Sequence, residues 1–206
     1  MADFEGATID DIYKAFAKAE TGSYDDPWIR TEGYGSSAYG PVQLTGGGGS
    51  DKAIRGNKQS MMWNVYHDPK MAEKMGITEK DRIYISRFLE QADEFLAPVS
   101  DEKGSTYGYG GSGVLTSDED KASYERVTKK IMAYELDRIE NLGGGIKRLI
   151  REWRFGPPEE WDEKDPQFKE YIRKFDEELT GILNVRDTAL LKPDEAVMDT
   201  ILKGVK

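Results

Sequence analysis

Cysteine is absent from this chain of 206 residues, and histidine occurs once, at His67. The absence of cysteine excludes disulfide bonds and thiolate metal sites. A single histidine argues against a metal site built from several imidazoles and against a catalytic triad with a histidine base. We therefore expect neither a metal nor another cofactor, and we expect His67 to have a capping or surface role at a helix end.

Positive charge and long apolar segments are also scarce. Lysine and arginine number 29 against 39 aspartates and glutamates, which gives a net charge of -10. Proteins that bind nucleic acid usually present a basic face to the phosphate backbone, so no nucleic-acid partner is expected. Apolar runs fall short of the roughly 20 residues of a membrane-spanning helix, which argues against membrane insertion. The start, MADFEGATIDD, lacks the features of a signal peptide, so synthesis in the cytoplasm without such a peptide is expected.

Amphipathic helical patterns occupy most of the chain. A hydrophobic content of 37% with 11% aromatic residues is typical of a globular protein. Apolar residues recur at three- and four-residue spacing and predict helices over 8–20, 51–66, 78–97, 118–141, 146–155, 165–185 and 193–205. Two polar segments rich in glycine and tyrosine, 21–50 and 104–120, are predicted to be cleft loops, with short strands as an alternative in the first. The expected fold is mainly α (α+β), in one domain over 1–206.

The first predicted helix ends on a carboxylate. Thr8 is predicted to be its N-cap, with Asp11 three residues later in a capping-box pattern. Glu20 follows Phe16 by four residues and therefore lies on the apolar stripe of the helix. Burial and the negative end of the helix dipole both raise the pKa of such a carboxyl, as a general acid near neutral pH requires. The alternative is a helix-end glutamate that turns into the solvent.

Three short motifs from Glu20 onward carry a resemblance to known enzymes. AYGPVQL (38–44) fits A-x-G-x-x-Q, ETGSYDDP (20–27) is similar to the start of a phage N-acetylmuramidase family, and TEGYGSS (31–37) resembles a segment of phage-type lysozymes. Together they resemble the lysozyme-like superfamily, especially soluble lytic transglycosylases and goose-type lysozymes. The resemblance implies a lysozyme-like fold with a small loop or β-hairpin lobe. It also implies cleavage of the β-1,4 bond between N-acetylmuramic acid and N-acetylglucosamine in peptidoglycan.

The resemblance further implies roles for single residues. Glu20 matches the catalytic acid of the superfamily, and a second catalytic carboxylate would come first from Glu32 or next from Asp26, with Asp25 in the same loop. The residues expected to bind sugar are Ser37, Tyr39, Gln43, Tyr107, Tyr109, Trp153 and Arg154. The implied partner is the glycan strand of peptidoglycan. The implied protein is a phage endolysin or a virion-associated enzyme, monomeric or part of a virion, that acts on the cell wall or in the periplasm.

Departures from the superfamily pattern bear on the outcome of the reaction. Pro41 and Val42 replace the usual Leu-Met pair, and the transglycosylase motif A-Y-N-A-G is absent. Its nearest counterpart, REWRFGP (151–157), places Arg154 at the asparagine position. The missing motif and the loop carboxylates favour hydrolysis, and a lytic transglycosylase that forms 1,6-anhydro-muramic ends is the alternative. Rival interpretations are a catalytically inactive glycan-binding or structural virion protein, and a protein that interacts through its acidic surface.

Overall fold

Helices dominate the structure, a computed structural model, and the predicted mainly α class is confirmed. The residues that it describes are 4, 6–21, 30–33, 36–42, 44–45, 61–95, 98–101, 104–107, 117–155 and 163–190. The described helices are α1 (Ile9–Thr21), α2 (Met61–His67), α3 (Pro69–Lys74), α4 (Glu79–Phe95), α5 (Asp118–Asn141), α6 (Ile146–Phe155) and α7 (Pro166–Leu190). None of these helices has the length and apolar character needed to span a membrane.

Short antiparallel strands lie between the helices in two places. The strands are β1 (Arg30–Gly33), β2 (Ser36–Tyr39), β3 (Leu44–Thr45), β4 (Pro98–Asp101) and β5 (Gly104–Tyr107). The first three form one sheet in the order β1-β2-β3, inside the first polar segment, and β4 pairs with β5. The prediction of a loop is therefore wrong at residues 104–107. Val99 of β4 pairs with Thr106 of β5 in the backbone register, and β-branched residues such as these favour strands.

The hydrophobic core is built around α1, which packs against α5 and α7. Ile12 and Phe16 on its inner face are fully buried. The Phe16 ring meets the ring of Phe175 from α7 edge-on, with centroids 4.9 Å apart. Residues early in α7 contact the end of α1, and residues late in α7 contact its start, so the two helices run antiparallel.

Three described helices begin with the same capping arrangement. A serine or threonine hydroxyl accepts a hydrogen bond from the N–H of an aspartate three residues later, and it donates a hydrogen bond to that carboxylate. Each aspartate is buried and also binds an arginine from another helix. The sets are Thr8–Asp11 with Arg186, Thr78–Asp81 with Arg126, and Ser117–Asp120 with Arg87. The predicted cap of α1 is thus confirmed, and its charged partner fixes the start of α1 against α7.

The helix boundaries differ from the predicted ones in the middle of the chain. The helix expected over 51–66 is described only from residue 61, and the helix expected over 193–205 lies outside the described residues. His67 is exposed and ends α2, as expected. The chain then turns at Asp68, whose carboxylate caps α3, with Pro69 at the first helical position.

Candidate active site

Glu20 lies in the last turn of α1, where that helix packs against α7. Its side chain is only 8% exposed. One turn earlier on α1, the ring of Phe16 packs against the ring of Trp153, with centroids 5.6 Å apart. The expected position of Glu20 on the buried stripe is confirmed, and the alternative in which its side chain turns into the solvent is wrong.

Side chains from two other helices contact the Glu20 carboxylate. The hydroxyl of Tyr171, in α7, donates a hydrogen bond of 2.6 Å to Oε1. Arg154, in the last turn of α6, places its Nε 3.8 Å from the same oxygen. The guanidinium carbon of Arg154 lies 5.7 Å from the centre of the Tyr171 ring, within range of a cation–π contact. The cation therefore stacks on the same phenol that binds the carboxylate.

Burial raises the pKa of Glu20 above its usual value of 4.5, because the anion loses its water shell. The hydrogen bond from Tyr171 and the charge of Arg154 favour the anion, and they oppose the rise without cancelling it. The negative end of the α1 dipole acts in the same direction as burial. Burial, followed by the charge of Glu20, also raises the pKa of Tyr171, so its phenol remains a hydrogen-bond donor. The arrangement favours a carboxyl group that retains its proton at a higher pH than an exposed glutamate does.

The described part of the A-x-G-x-x-Q segment packs against Tyr124 of α5. Gly40 has a φ of +73°, and a β-carbon at this position would lie 2.8 Å from the Tyr124 ring, so glycine is required there. The N–H of Leu44 donates a hydrogen bond of 3.4 Å to the Tyr124 hydroxyl, and Val42 also bonds it through its backbone. The charge of Glu20 contributes to the raised pKa of Tyr124, after burial. The glycine of the motif therefore lets this segment approach Tyr124, whose pKa responds to the charge of Glu20.

The predicted site residues divide into those that the structure places and those that it does not describe. Arg154 is brought to Glu20, and Trp153 is half-buried against Phe16, so part of its ring belongs to the core. Glu32 in β1 lies opposite Ser37 in β2. Four predicted residues lie in strands whose side chains are outside the described part: Glu32, Ser37, Tyr39 and Tyr107. Four others lie outside the described residues altogether: Asp25, Asp26, Gln43 and Tyr109.

Sequence reasoning missed Tyr171. This residue lies three positions after Phe168 and four before Phe175, and therefore shares the apolar stripe of α7. A tyrosine on a buried stripe normally finds a partner for its hydroxyl, so the pattern indicates a buried acceptor. It does not identify that acceptor as Glu20, which is 151 positions away in the chain. Only the packing of α1 on α7 brings the two together.

A cavity of about 780 Å³ opens on a different part of the α6–α7 surface. Its lining mixes cations such as Arg151 and Arg173 with carboxylates such as Asp176 and Glu177, and it does not include Glu20. Arg173 is already bound to Glu177 at 2.6 Å. We place the candidate site at Glu20, where a buried carboxyl of raised pKa receives a hydrogen bond from a phenol and lies 3.8 Å from a half-exposed cation.

Comparison of the chain with protein-family models, curated proteins and solved structures gives no significant match. The interpretation of the site therefore depends on its own geometry and on the sequence motifs. Glu20 is a carboxyl whose pKa burial raises, Tyr171 holds one of its oxygens, and Arg154 offers a half-exposed cation beside it. Such a cluster can protonate an oxygen atom of a bound ligand and hold an anionic group next to it.

Proposed function

We propose that the protein is a peptidoglycan glycosidase that cleaves the β-1,4 bond between N-acetylmuramic acid and N-acetylglucosamine, with Glu20 as general acid. The observation that carries the proposal is the buried Glu20 carboxyl at the end of α1, whose pKa burial raises. Cleavage of a glycosidic bond needs such a donor to protonate the leaving oxygen. The choice of a polysaccharide, and of a lysozyme-like fold, is supported by the resemblance of the Glu20 and A-x-G-x-x-Q motifs to that superfamily.

In this reaction Glu20 gives its proton to the glycosidic oxygen while the bond to the muramic anomeric carbon breaks. Tyr171 is a positioning residue, because its hydrogen bond holds Oε1 and leaves Oε2 to carry the proton. The sugar passes through an oxocarbenium-like state as the leaving hydroxyl departs. Where the C6 hydroxyl of the muramic acid attacks the anomeric carbon, the Glu20 anion accepts its proton, and where a second carboxylate activates water, that carboxylate accepts the proton.

The attacking group decides between two outcomes. We place hydrolysis first, with water as the attacking group. The carboxylate that activates this water is proposed to be Glu32, with Asp26 as the second choice. The second candidate is a lytic transglycosylase, in which the C6 hydroxyl of the muramic acid attacks and closes a 1,6-anhydro ring. This candidate needs no second carboxylate, and the described contacts of Glu20, a phenol and a guanidinium, are compatible with it.

The proposed setting is that of a phage endolysin or a virion-associated enzyme that acts on glycan strands of the cell wall. The net charge of -10 bears on this setting, because bacterial walls are often anionic. Like charges repel each other over distances up to about a Debye length, and added salt shortens that length. We therefore expect wall binding to be weak and to respond to ionic strength.

Mass spectrometry of digests of purified peptidoglycan tests the proposal. The wild-type protein should release muropeptides, with reducing muramic ends from hydrolysis or 1,6-anhydro ends from the second candidate. Glu20→Gln should release neither, while Glu73→Gln, which changes an exposed carboxyl on α3, should match the wild type. If the folded wild-type protein releases no fragments, the proposal is wrong. Glycan binding without cleavage would then identify a binding protein.

A further inference from the structure

Arg154 stands at the candidate site with few contacts to the residues that the structure describes. Its described side-chain contacts are the 3.8 Å approach to Glu20 and the stacking on the Tyr171 ring. That approach is longer than a hydrogen bond of about 2.7–3.2 Å, and the Arg154 side chain is 51% exposed. A guanidinium group has five N–H donors in a planar fork, which binds a carboxylate through two parallel hydrogen bonds. The ring of Tyr171 thus holds the fork at the edge of the site with donors that can bind an anion.

We infer that Arg154 binds a carboxylate group of the substrate and that this contact weakens its ion pair with Glu20. The identity of the substrate in this inference rests on the proposed function, whereas the site at Arg154 that binds a carboxylate does not. Peptidoglycan has two sources of carboxylates. Where muramic acid carries no peptide, its lactyl group ends in a carboxylate, and where a peptide is attached, the peptide itself supplies carboxylates. Both present the same planar anion to the guanidinium fork.

The contact would couple substrate binding to the protonation of Glu20. The described groups that act on the Glu20 carboxyl are Tyr171 from α7 and Arg154 from α6. Tyr124 from α5 feels the charge of Glu20 but stays neutral itself, because burial raises its pKa. Arg154 is the cation among them, and its charge opposes the rise in the pKa of Glu20. A second carboxylate on the guanidinium offsets that charge, so the pKa of Glu20 should rise further when the substrate is bound. The enzyme would then hold its acid protonated when a carboxylate-bearing glycan is in place.

Thermodynamic linkage makes this coupling reciprocal. If a bound carboxylate favours protonated Glu20, then protonated Glu20 favours the bound carboxylate by the same factor. Affinity for a carboxylate should therefore fall as the pH rises through the pKa of Glu20. For a partly exposed ion pair we expect a change of up to about fivefold.

A titration of Glu20 with a simple carboxylate tests the inference without any glycan. The side-chain carboxyl carbons of glutamate are labelled with ¹³C, the Glu20 signal is assigned from its loss in Glu20→Gln, and its titration is followed by NMR. The samples contain sodium acetate or sodium chloride at equal ionic strength. In the wild type, acetate should move the titration of Glu20 to higher pH. In Arg154→Gln the titration should start at higher pH and acetate should not move it.

Arg173→Gln is the matched control. Arg173 is 53% exposed on α7 and pairs with Glu170 and Glu177, so the variant removes one cation of similar exposure without touching Glu20. This variant should keep the acetate response of the wild type. An acetate response that is absent from the wild type, or that survives in Arg154→Gln, would overturn the inference. If acetate acts as expected but peptidoglycan is not cleaved, the proposed function fails and the carboxylate site remains.

Binding measurements on three glycans separate the sources of the carboxylate. Calorimetry compares Glu20→Gln with the double variant Glu20→Gln, Arg154→Gln, so that no cleavage occurs. The ligands are chitin oligosaccharides without carboxylate, peptide-free strands with the lactyl carboxylate, and strands with peptides. Loss of Arg154 should lower affinity up to about fivefold for one or both carboxylate-bearing ligands, and the ligand that responds identifies the source. An equal loss on chitin oligosaccharides would contradict carboxylate recognition.

Discussion

The two ends of α1 each bury a carboxylate against α7, and the surroundings shift their pKa values in opposite directions. At the start, burial raises the pKa of Asp11, but the hydrogen bonds from Thr8 and the charge of Arg186 at 2.7 Å outweigh burial and hold it below the usual 3.8. At the end, Glu20 receives one phenol hydrogen bond and a cation at 3.8 Å, and burial prevails. The helix dipole adds to this difference in pKa, because its positive end lies at Asp11 and its negative end lies at Glu20.

The comparison shows that burial alone does not decide whether a carboxyl group stays charged in this protein. Asp81 extends the point, because it is fully buried yet binds Arg126 and Lys130 at 2.7 Å each. Burial raises its pKa, but those hydrogen bonds and the ones from Thr78 outweigh burial and lower it. Asp11 and Asp81 receive several donors and join helices, whereas Glu20 receives few donors and is suited to proton transfer. The predictions below test this division.

Glu20→Gln should have the largest effect on activity. An amide keeps the shape of the side chain and can still accept the hydrogen bond from Tyr171, but it cannot donate a proton as an acid does. Loss of a general acid should lower the rate at least about 100-fold. The clearing of permeabilised cells measures the rate, and circular dichroism checks the fold. A folded variant that retains more than a tenth of the wild-type rate would rule out Glu20 as the acid.

Asp11→Asn should lower stability and leave the activity of the folded protein unchanged. The variant loses the charged hydrogen bond to Arg186, which should cost about 1–3 kcal/mol in the free energy of unfolding. Urea unfolding at neutral pH measures this cost. The control is Asp10→Asn, since Asp10 is 64% exposed and pairs with Lys129, so its loss should cost less than about 1 kcal/mol. Equal costs for the two variants would contradict a special role for the buried pair.

The elements of the fold that depend on local sequence could be predicted. The apolar periodicity predicts α5 and α6 with the bounds that the structure has, and the Thr8–Asp11 capping pattern predicts the start of α1 within one residue. The place of Glu20 on the buried stripe also follows from its spacing to Phe16. Each of these features depends on residues a few positions apart in the chain.

The partners of the site could not be predicted in this way. Tyr171 reaches Glu20 because α7 runs antiparallel to α1, and no local pattern specifies that pairing. The motif resemblance singled out Arg154 as a substrate-binding residue, but not its stacking on Tyr171 or its distance from the acid. Strand β5 was missed because its glycine-rich surroundings predict a loop, while the residue opposite Thr106 lies in β4. Contacts between distant segments decide all three.

Tyr171→Phe should have a moderate effect with a distinctive pH dependence. The hydrogen bond from this phenol opposes the rise in the pKa of Glu20, so its removal should raise that pKa further. The fall in activity at high pH, where the acid loses its proton, should move to higher pH. A cost of about 0.5–1.5 kcal/mol in stability is expected from the lost hydrogen bond. The pH profile of cell-wall clearing measures the shift. The control is Tyr134→Phe on α5, which should keep the wild-type profile. A lower rate with an unchanged pH profile in Tyr171→Phe would show that Tyr171 only packs in the core.

The smallest expected effect is an opposite dependence of stability on pH for variants at the two ends of α1. The pKa of Glu20 is higher in the folded protein than its usual 4.5, so its contribution to stability is present below that pH and is lost as the pH rises through the folded pKa. Glu20→Gln avoids this loss, and its stability relative to the wild type should increase as the pH rises above 4.5.

Asp11 should behave in the opposite way. Its pKa is below the usual 3.8 in the folded protein, so its contribution is present above that pH and is lost as the pH falls through the folded pKa. The loss of stability caused by Asp11→Asn, relative to the wild type, should therefore become smaller at low pH. Urea unfolding of both variants and the wild type from about pH 3 to about pH 8 measures the two trends, and a difference of one pKa unit corresponds to about 1.4 kcal/mol. The free energy of unfolding of each variant, relative to the wild type, should change with pH in opposite directions. If it does not change, or changes in the same direction for both variants, the surroundings do not shift the two pKa values oppositely.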